Sequence, residues 1–271
     1  MLSHSPDGPS VRTWFYQVTT WKVQLFVYTG AMPSQASRSR RSYDQFCAIA
    51  RALDSIGDRW ALLIVRELLA GPRRYTDLHA DLPGVSTDVL ASRLRQLESE
   101  GLADRRRQPR PAAGYVYELT PRGRALLPVL NALAAWGGPA LGKPRTTDAV
   151  RAHWWAVPLR EELRRAAGPE AAGGTVVDVV LPEGAFHLRL GDGEEGGGPG
   201  GCPAGGGKDP EHRGGVYGEG RAPERADAEV VLDSAACTRL AEGTGTLGDE
   251  IRAGAVRVTG ESPLAARLLR S

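Results

Sequence analysis

The chemistry most clearly marked in this chain is the binding of phosphate groups. A run of arginines lies beside prolines and glycines that favour a turn, and a further pair precedes a short predicted helix. Guanidinium groups on an exposed hairpin bind the phosphates of nucleic acid in a salt-dependent way that is largely independent of base sequence. A solvated charge cluster is the alternative for the run. The candidate phosphate-binding residues are Arg73, Arg74, Arg105, Arg106, Arg107 and Arg110.

A second group of polar residues belongs to a helix predicted over residues 86–100. Leu90, Leu94 and Leu97 recur at helical spacing and predict its buried face. The opposite face is polar, as it is in a helix that reads base edges with its first turns. An ordinary amphipathic surface helix has the same spacing, so the neighbouring elements decide between the two. The candidate base-reading residues are Ser86, Thr87, Asp88, Ser92, Arg93 and Arg95.

The elements around this helix predict a helix-turn-helix followed by a basic wing. An apolar helix over 60–70 is followed by a short helix over 75–82, and a Pro-Gly turn then leads into the helix over 86–100. Two short strands, 102–107 and 115–119, read as a hairpin that carries the arginines. This order is typical of a winged-helix module, which places one helix in the major groove and the hairpin on the backbone.

The motifs of residues 46–138 resemble the HxlR family of bacterial winged helix-turn-helix regulators. The resemblance implies a homodimer, joined through its first and last helices, that binds double-stranded operator DNA. Two positions depart from the family pattern: Ala48 stands where proline is usual, and residues 111–114 read Pro-Ala-Ala-Gly at the wing tip. The matching stretches are 47–50, 56–60, 69–78, 94–102, 117–123 and 136–137.

Cys47 occupies the position of the family's leading cysteine, and the resemblance implies oxidant sensing for some members. A sensing thiol needs exposure and a lowered pKa, and Arg51 lies one helical turn away. The alternative is a half-buried cysteine in a dimer helix. The three cysteines show no disulfide framework and no metal-ligand spacing, which fits a reducing compartment. We therefore expect no metal and no cofactor.

Charge divides the chain into two parts. Residues 38–136 contain sixteen arginines and no lysine against eleven acids, whereas residues 137–271 contain sixteen bases against twenty acids. This asymmetry predicts a DNA-binding module joined to a domain of another kind. The predicted organisation is an extension over 1–40, a winged helix over 41–138, a linker over 139–147 and a second domain over 148–271.

The aromatic segment 14–28 is too short and too polar for a membrane span, and it lacks the features of a secretory leader. We interpret residues 1–40 as a disordered extension, with an added strand as the alternative. The sequence thus predicts a cytoplasmic, nucleoid-associated protein without a membrane partner.

The C-terminal part alternates predicted helices and strands around a glycine-rich stretch. Residues 191–224 contain fourteen glycines, a composition that predicts a mobile loop. The other predicted elements are a helix over 148–167, a hairpin of strands 175–181 and 185–190, a strand over 228–232, helices from 234 and over 247–252, a strand over 255–259 and a final helix from 263.

Three stretches of this part, 226–233, 240–243 and 253–260, resemble the sterol-carrier-protein-like fold. The predicted fold class is accordingly α+β, with a winged helix-turn-helix domain followed by an α+β sterol-carrier-protein-like domain. The resemblance implies an apolar cavity that takes a hydrophobic small molecule, and simple core packing is the alternative for its residues. The candidate cavity residues are Leu240, Leu247, Ile251, Leu264 and Leu268.

The motifs that mark catalysis do not occur in the sequence. We find no nucleophile elbow, phosphate-binding loop, metal triad or paired carboxylates, and His153 and His187 are isolated along the chain. The prediction is a homodimeric transcription regulator and not an enzyme, with repression as the expected direction. The alternatives are a DNA-bound scaffold whose C-terminal domain recruits a partner, and an enzyme with its centre in the C-terminal half.

Overall fold

The computed structural model describes residues 42–108, 113–168, 174–191 and 215–271. These residues form one compact unit and contain ten α-helices and eight strands, numbered here in chain order. The predictions for residues 1–40, Arg110, Cys202 and the greater part of the glycine-rich stretch fall outside the described residues.

The first part of the described chain is a winged helix-turn-helix, as predicted. Its three-stranded antiparallel sheet has the order β1-β3-β2, with Arg105 of β2 opposite Tyr117 of β3. Its elements are α1 (Ala48–Ile56), α2 (Ala61–Leu68), β1 (Arg73–Arg74), α3 (Tyr75–Asp81), α4 (Thr87–Ser99), β2 (Ala103–Arg107), β3 (Tyr115–Leu119), α5 (Pro121–Arg124) and α6 (Leu127–Gly137).

Local signals fix both ends of α4, the predicted base-reading helix. The Ser86 hydroxyl accepts a hydrogen bond from the Val89 backbone N–H at 3.3 Å, which satisfies one of the free donors of the first turn. Gly101 follows the helix with φ of 63°, a conformation that suits glycine at a helix end. Between these ends, Leu90 and Leu94 are buried under the helix as their spacing predicts.

The second part is a mixed α/β arrangement built on a five-stranded sheet with the order β6-β5-β4-β7-β8. Strands β4 and β7 are parallel, and the other neighbours are antiparallel. Its elements are α7 (Ala156–Ala167), β4 (Val176–Leu181), β5 (Gly184–Arg189), β6 (Tyr217–Glu219), β7 (Ala228–Leu232), α8 (Ser234–Glu242), α9 (Leu247–Arg252), β8 (Val256–Thr259) and α10 (Pro263–Leu268).

Two predictions for this part are wrong in detail. The helix expected over 148–167 begins only at Ala156, because residues Ala152–Trp155 form a tighter 3-10 turn that buries His153. The loop expected over 191–224 contains strand β6 near its end, and Tyr217 of that strand is only 1% exposed. The glycine-rich composition gave no signal for this three-residue strand, which pairs with β5 and buries the Tyr217 side chain.

One apolar core runs through both parts of the described chain. It joins side chains under α2 and α4 to those between the five-stranded sheet and its helices. The 3-10 turn Gly138–Ala140 passes so close to α8 that a Cβ atom on Gly138 would lie 2.0 Å from the Ala241 carbonyl oxygen. The winged helix and the C-terminal half therefore pack as one body. Among the described helices, none combines the length and apolar character that crossing a membrane requires.

Candidate nucleic-acid interface

The outer face of α4 presents the polar side chains that the sequence assigns to base reading. Ser86, Thr87, Asp88, Ser92 and Arg95 are all exposed. The Tyr75 hydroxyl donates to the Thr87 carbonyl oxygen at 2.8 Å, and this bond ties the start of α4 to α3. The first turn of α4 is thus held in place while its side chains remain accessible.

Arg93 is placed differently from the other polar residues of α4. Its Nη1 donates to Asp58 at 2.7 Å and to Gln96 at 2.6 Å, and its side chain is partly buried. These bonds brace α4 against the segment that precedes α2. Arg95 is consequently the arginine of this helix that faces solvent.

The β2–β3 hairpin carries three exposed arginines. Arg105 and Arg107 share one face of the strand, and the Arg105 guanidinium lies 3.9 Å from the ring centroid of Tyr115. Arg106 points to the other face, where its Nε lies 2.7 Å from Glu118. Among the described residues, the hairpin therefore offers two arginines without a carboxylate within salt-bridge distance and one that is already paired.

The two arginines of β1 face opposite sides, as successive residues of a strand do. Arg74 is exposed, and its Nε donates to Gln108 at 3.1 Å at the end of the wing strand. Arg73 points inward and is 13% exposed, with Nη2 at 2.5 Å from Glu219 and 3.2 Å from Asp81. The phosphate contact predicted for Arg73 is therefore not supported, because its guanidinium is committed to the carboxylates of Glu219 and Asp81.

Arg73 belongs to a group of charged residues that sequence reasoning missed, which we name the junction cluster. It contains residues from both parts of the chain, and at its centre Glu67 of α2 is fully buried. Glu67 Oε2 lies 2.9 Å from His153 Nε2, and Oε1 accepts from Trp154 Nε1 at 3.1 Å. The junction cluster consists of Glu67, Arg73, Asp81, His153 and Glu219.

The electrostatics of Glu67 are set by opposing effects. Burial is the largest effect and by itself would raise its pKa, but the hydrogen bond with His153 and the positive charge of Arg66 outweigh it. The pKa of Glu67 is therefore lowered, and the carboxylate stays charged inside the protein. Asp81 shows the opposite balance: burial raises its pKa despite the nearby Arg73.

Three members of the junction cluster are of residue types that bind metal ions. Ligand atoms of Glu67, Asp81 and His153 all lie within 4.8 Å of one another. Arg73 Nη2, however, lies 3.2 Å from the Asp81 carboxylate and 3.7 Å from that of Glu67, and thus supplies positive charge among them. We interpret the cluster as an ion-pair network that joins the two parts of the chain.

Cys47 is exposed immediately before α1. Hydrogen bonds from the backbone N–H groups of Ala50 and Ile49 lower the pKa of its thiol. Arg51, expected to assist, instead lies 3.6 Å from Asp54. Cys237 is buried, and burial raises the pKa of its thiol.

The five leucine and isoleucine residues assigned to an apolar cavity lie within the core. Leu240, Leu247, Leu264 and Leu268 are buried, and Ile251 packs against them. One described cleft, of about 320 Å³, lies between α6, α7 and α8 and touches Leu240, but charged residues including Glu161 and Arg165 also line it. The packing thus supports the core-filling alternative for these side chains.

Fold and surface together define a winged helix-turn-helix DNA-binding protein. The family model for the HxlR-like helix-turn-helix matches residues 55–144. The HTH-type transcriptional regulator YvaP of Bacillus subtilis is 40% identical over 86 residues, which cover 32% of this chain and 80% of YvaP. The chain therefore belongs to the HxlR family of transcriptional regulators.

Two further similar proteins are also transcriptional regulators. The HTH-type transcriptional regulator sll1512 of Synechocystis is 42% identical over 91 residues, covering 34% of this chain and 67% of the relative. The solved structure of the reduced form of the regulator YodB from B. subtilis is 29% identical, with a TM-score of 0.33, and covers 37% of this chain and 100% of YodB. The family match ends at residue 144, before the five-stranded sheet begins.

Proposed function

We propose that this protein is a sequence-specific, homodimeric repressor in which α4 reads bases and the β2–β3 hairpin binds phosphates. The observation that carries this proposal is the exposed polar face of α4 beside the exposed arginines of the hairpin. Arg74 supports the same surface, because its bond to Gln108 holds a third basic group beside the wing. Repression is the simplest action of a dimer that occupies an operator. We place the protein in the cytoplasm, at the nucleoid.

Exposed apolar side chains on two helices support the homodimer. Ile49 of α1 is 72% exposed, Trp136 of α6 is 84% exposed, and Phe46 before α1 and Leu133 of α6 are also exposed in the described chain. Burying such side chains against a second copy removes them from water and is favourable. A two-fold axis would separate the two α4 helices by roughly 34–36 Å, one turn of DNA.

Selection of binding sites from a pool of random duplexes by the full-length protein tests this proposal. We expect the enriched sites to contain two half-sites related by two-fold symmetry, and the protein to sediment as a dimer at micromolar concentration. The double variant Ser92→Ala, Arg95→Ala should lose about tenfold or more in preference for the selected site over random DNA, since base contacts contribute about 1–3 kcal/mol each. Absence of an enriched sequence, or a monomer bound at a single half-site, would contradict the proposal.

For the C-terminal half, over residues 148–271, we propose the sterol-carrier-protein-like fold joined through the linker 139–147 to the winged helix of 41–138. The succession β7, α8, α9, β8 supports the resemblance to that fold. The sequence predicts that a hydrophobic ligand bound in this half modulates the regulator. The buried packing of Leu247, Leu264 and Leu268 favours the scaffold alternative, in which this half recruits a partner.

We propose oxidant sensing at Cys47 as a second function, because its thiol is exposed and its pKa is lowered by backbone hydrogen bonds. A larger thiolate fraction at neutral pH makes such a thiol the first to react with an oxidant.

Alkylation kinetics test the state of Cys47. In a Cys202→Ser background, we expect iodoacetamide to modify Cys47 in the folded protein and Cys237 only after unfolding, since Cys237 is buried and the pKa of its thiol is raised. The rate plotted against pH should have its midpoint below the usual thiol value of about 8.5. A Cys47→Ser variant gives the background rate. A midpoint at or above the usual value would exclude thiolate-based sensing.

A further inference from the structure

The C-terminal half touches the DNA-binding part where the wing is anchored. Strand β6 follows Val216, whose backbone N–H donates to the Leu69 carbonyl oxygen at 2.8 Å at the end of α2. The Tyr217 hydroxyl donates to the Arg66 carbonyl oxygen at 2.9 Å, and the Tyr217 ring stacks on His153 with centroids 6.1 Å apart. The end of α2, just before β1, is therefore held by β6 and by the turn that precedes α7.

Arg73 lies between this contact and the wing. It is the first residue of β1 and pairs in register with Tyr117 of β3, a strand of the basic hairpin. Its guanidinium is fixed by Glu219 of β6 and by Asp81 at the end of α3. Since Arg74 follows Arg73 directly, the position of Arg73 also determines where the exposed Arg74 side chain is presented beside the wing.

We propose that the C-terminal half is a buttress of the DNA-binding surface and that Arg73 and Glu219 are positioning residues for DNA binding. Glu219 acts through Arg73 on β1 and β3, and neither side chain needs to contact DNA. The family match, which ends at residue 144, does not include Glu219 or its strand. The inference rests on the DNA binding of the winged helix.

The direction in which DNA affinity changes when Glu219 is neutralised distinguishes this proposal from an effect of net charge alone. Neutralising an acidic residue raises the net positive charge, and charge alone would then strengthen binding to a polyanion. If Glu219 positions Arg73, neutralising it must instead weaken binding, because β1 and the wing lose a fixed attachment. Glu224 is a matched control: it is also exposed, and its partner is Arg189, within the C-terminal half.

The experiment measures the affinity of the full-length protein for a short duplex of random sequence, by fluorescence anisotropy at low salt. We expect Glu219→Gln to bind about threefold to tenfold more weakly than wild type, in the range found for residues that couple separate sites. Glu224→Gln should bind as tightly as wild type or more tightly. Tyr217→Phe, which changes no charge and removes only the hydroxyl bond to Arg66, should also weaken binding.

Melting temperatures and hydrogen exchange complete the test. Since Glu219 is half-exposed, Glu219→Gln is expected to remain folded, with faster amide exchange confined to β1 and β3. The proposal is overturned if Glu219→Gln binds as tightly as Glu224→Gln, or if Tyr217→Phe binds like wild type. Wild-type protein that binds neither random duplexes nor a selected site would instead overturn the proposed function itself.

Discussion

Replacing Arg105, Arg106 and Arg107 together by alanine is expected to weaken binding to every duplex, whatever its sequence. Log affinity falls as log salt concentration rises, and each phosphate contact that is lost should reduce the steepness of this fall by about 1. Arg106 already has a partner in Glu118, so its single replacement should have the smallest effect of the three. We therefore expect the steepness of the salt dependence to be smaller by about 2 to 3 in the triple variant.

A triple variant with the same change in charge provides the control. Arg145, Arg225 and Arg252 are exposed outside the winged helix, and each pairs with a nearby acid. Their replacement by alanine should leave the salt slope close to that of wild type, because they belong neither to the hairpin nor to α4. If both triple variants lose affinity equally, the wing has no special role and net charge alone explains binding.

Glu67→Gln is expected to destabilise the protein by about 3 kcal/mol at neutral pH, measured by urea unfolding. Removing one partner from a buried ion-pair network leaves the others without compensation, which typically costs about 3–5 kcal/mol. Glutamine has nearly the same shape as glutamate and keeps one side-chain oxygen as a hydrogen-bond acceptor, so we expect the lower end of that range. The groups that bind the two carboxylate oxygens in wild type, and that would have only one oxygen left, are His153, Arg66 and the Trp154 N–H.

The pH dependence of stability gives this prediction a second readout. The pKa of Glu67 is lower in the folded protein than its usual value of 4.5, so its contribution is present above that value and is lost as pH falls through the folded pKa. The difference in free energy of unfolding between wild type and Glu67→Gln should therefore shrink on acidification.

The variant Asp81→Asn serves as the comparison. Because the pKa of Asp81 is raised in the folded protein, its negative charge costs stability at neutral pH, and replacing it should destabilise the protein only mildly. Equal destabilisation by both variants would contradict this account of the cluster.

The helices and strands of the winged helix were predictable from the sequence because their signals are local. The leucine spacing and the Ser86 cap define α4 within fifteen residues, and the two strands of the hairpin are close neighbours in the chain. For the same reason, β4 and β5 were found from alternating residues on either side of a short turn. Contacts between residues close in sequence leave a pattern that can be recognised without the fold.

The junction cluster left no such pattern. Glu67 and His153 are 86 residues apart, and nothing in either stretch indicates the other. Arg73 and Arg74 are alike in sequence, yet Arg73 is largely buried and paired with Glu219 whereas Arg74 is exposed, because successive residues of a strand point to opposite sides. The role of each arginine thus depends on β6, a strand that could only be found once its tyrosine was placed in the core.

The position of the glycine-rich stretch has a consequence for the covalent chain. Residues 189 and 216 lie side by side, with the Arg189 N–H donating to the Val216 carbonyl oxygen at 3.0 Å. The polypeptide therefore leaves the sheet and re-enters it at almost the same point. A cut between Gly191 and Gly215 would give two fragments. The first contains β4 and β5, which lie in the middle of the five-stranded sheet, and the second contains β6 on one side of them and β7 and β8 on the other. Because strand pairing and the shared core join the two fragments, we expect them to remain associated after such a cut.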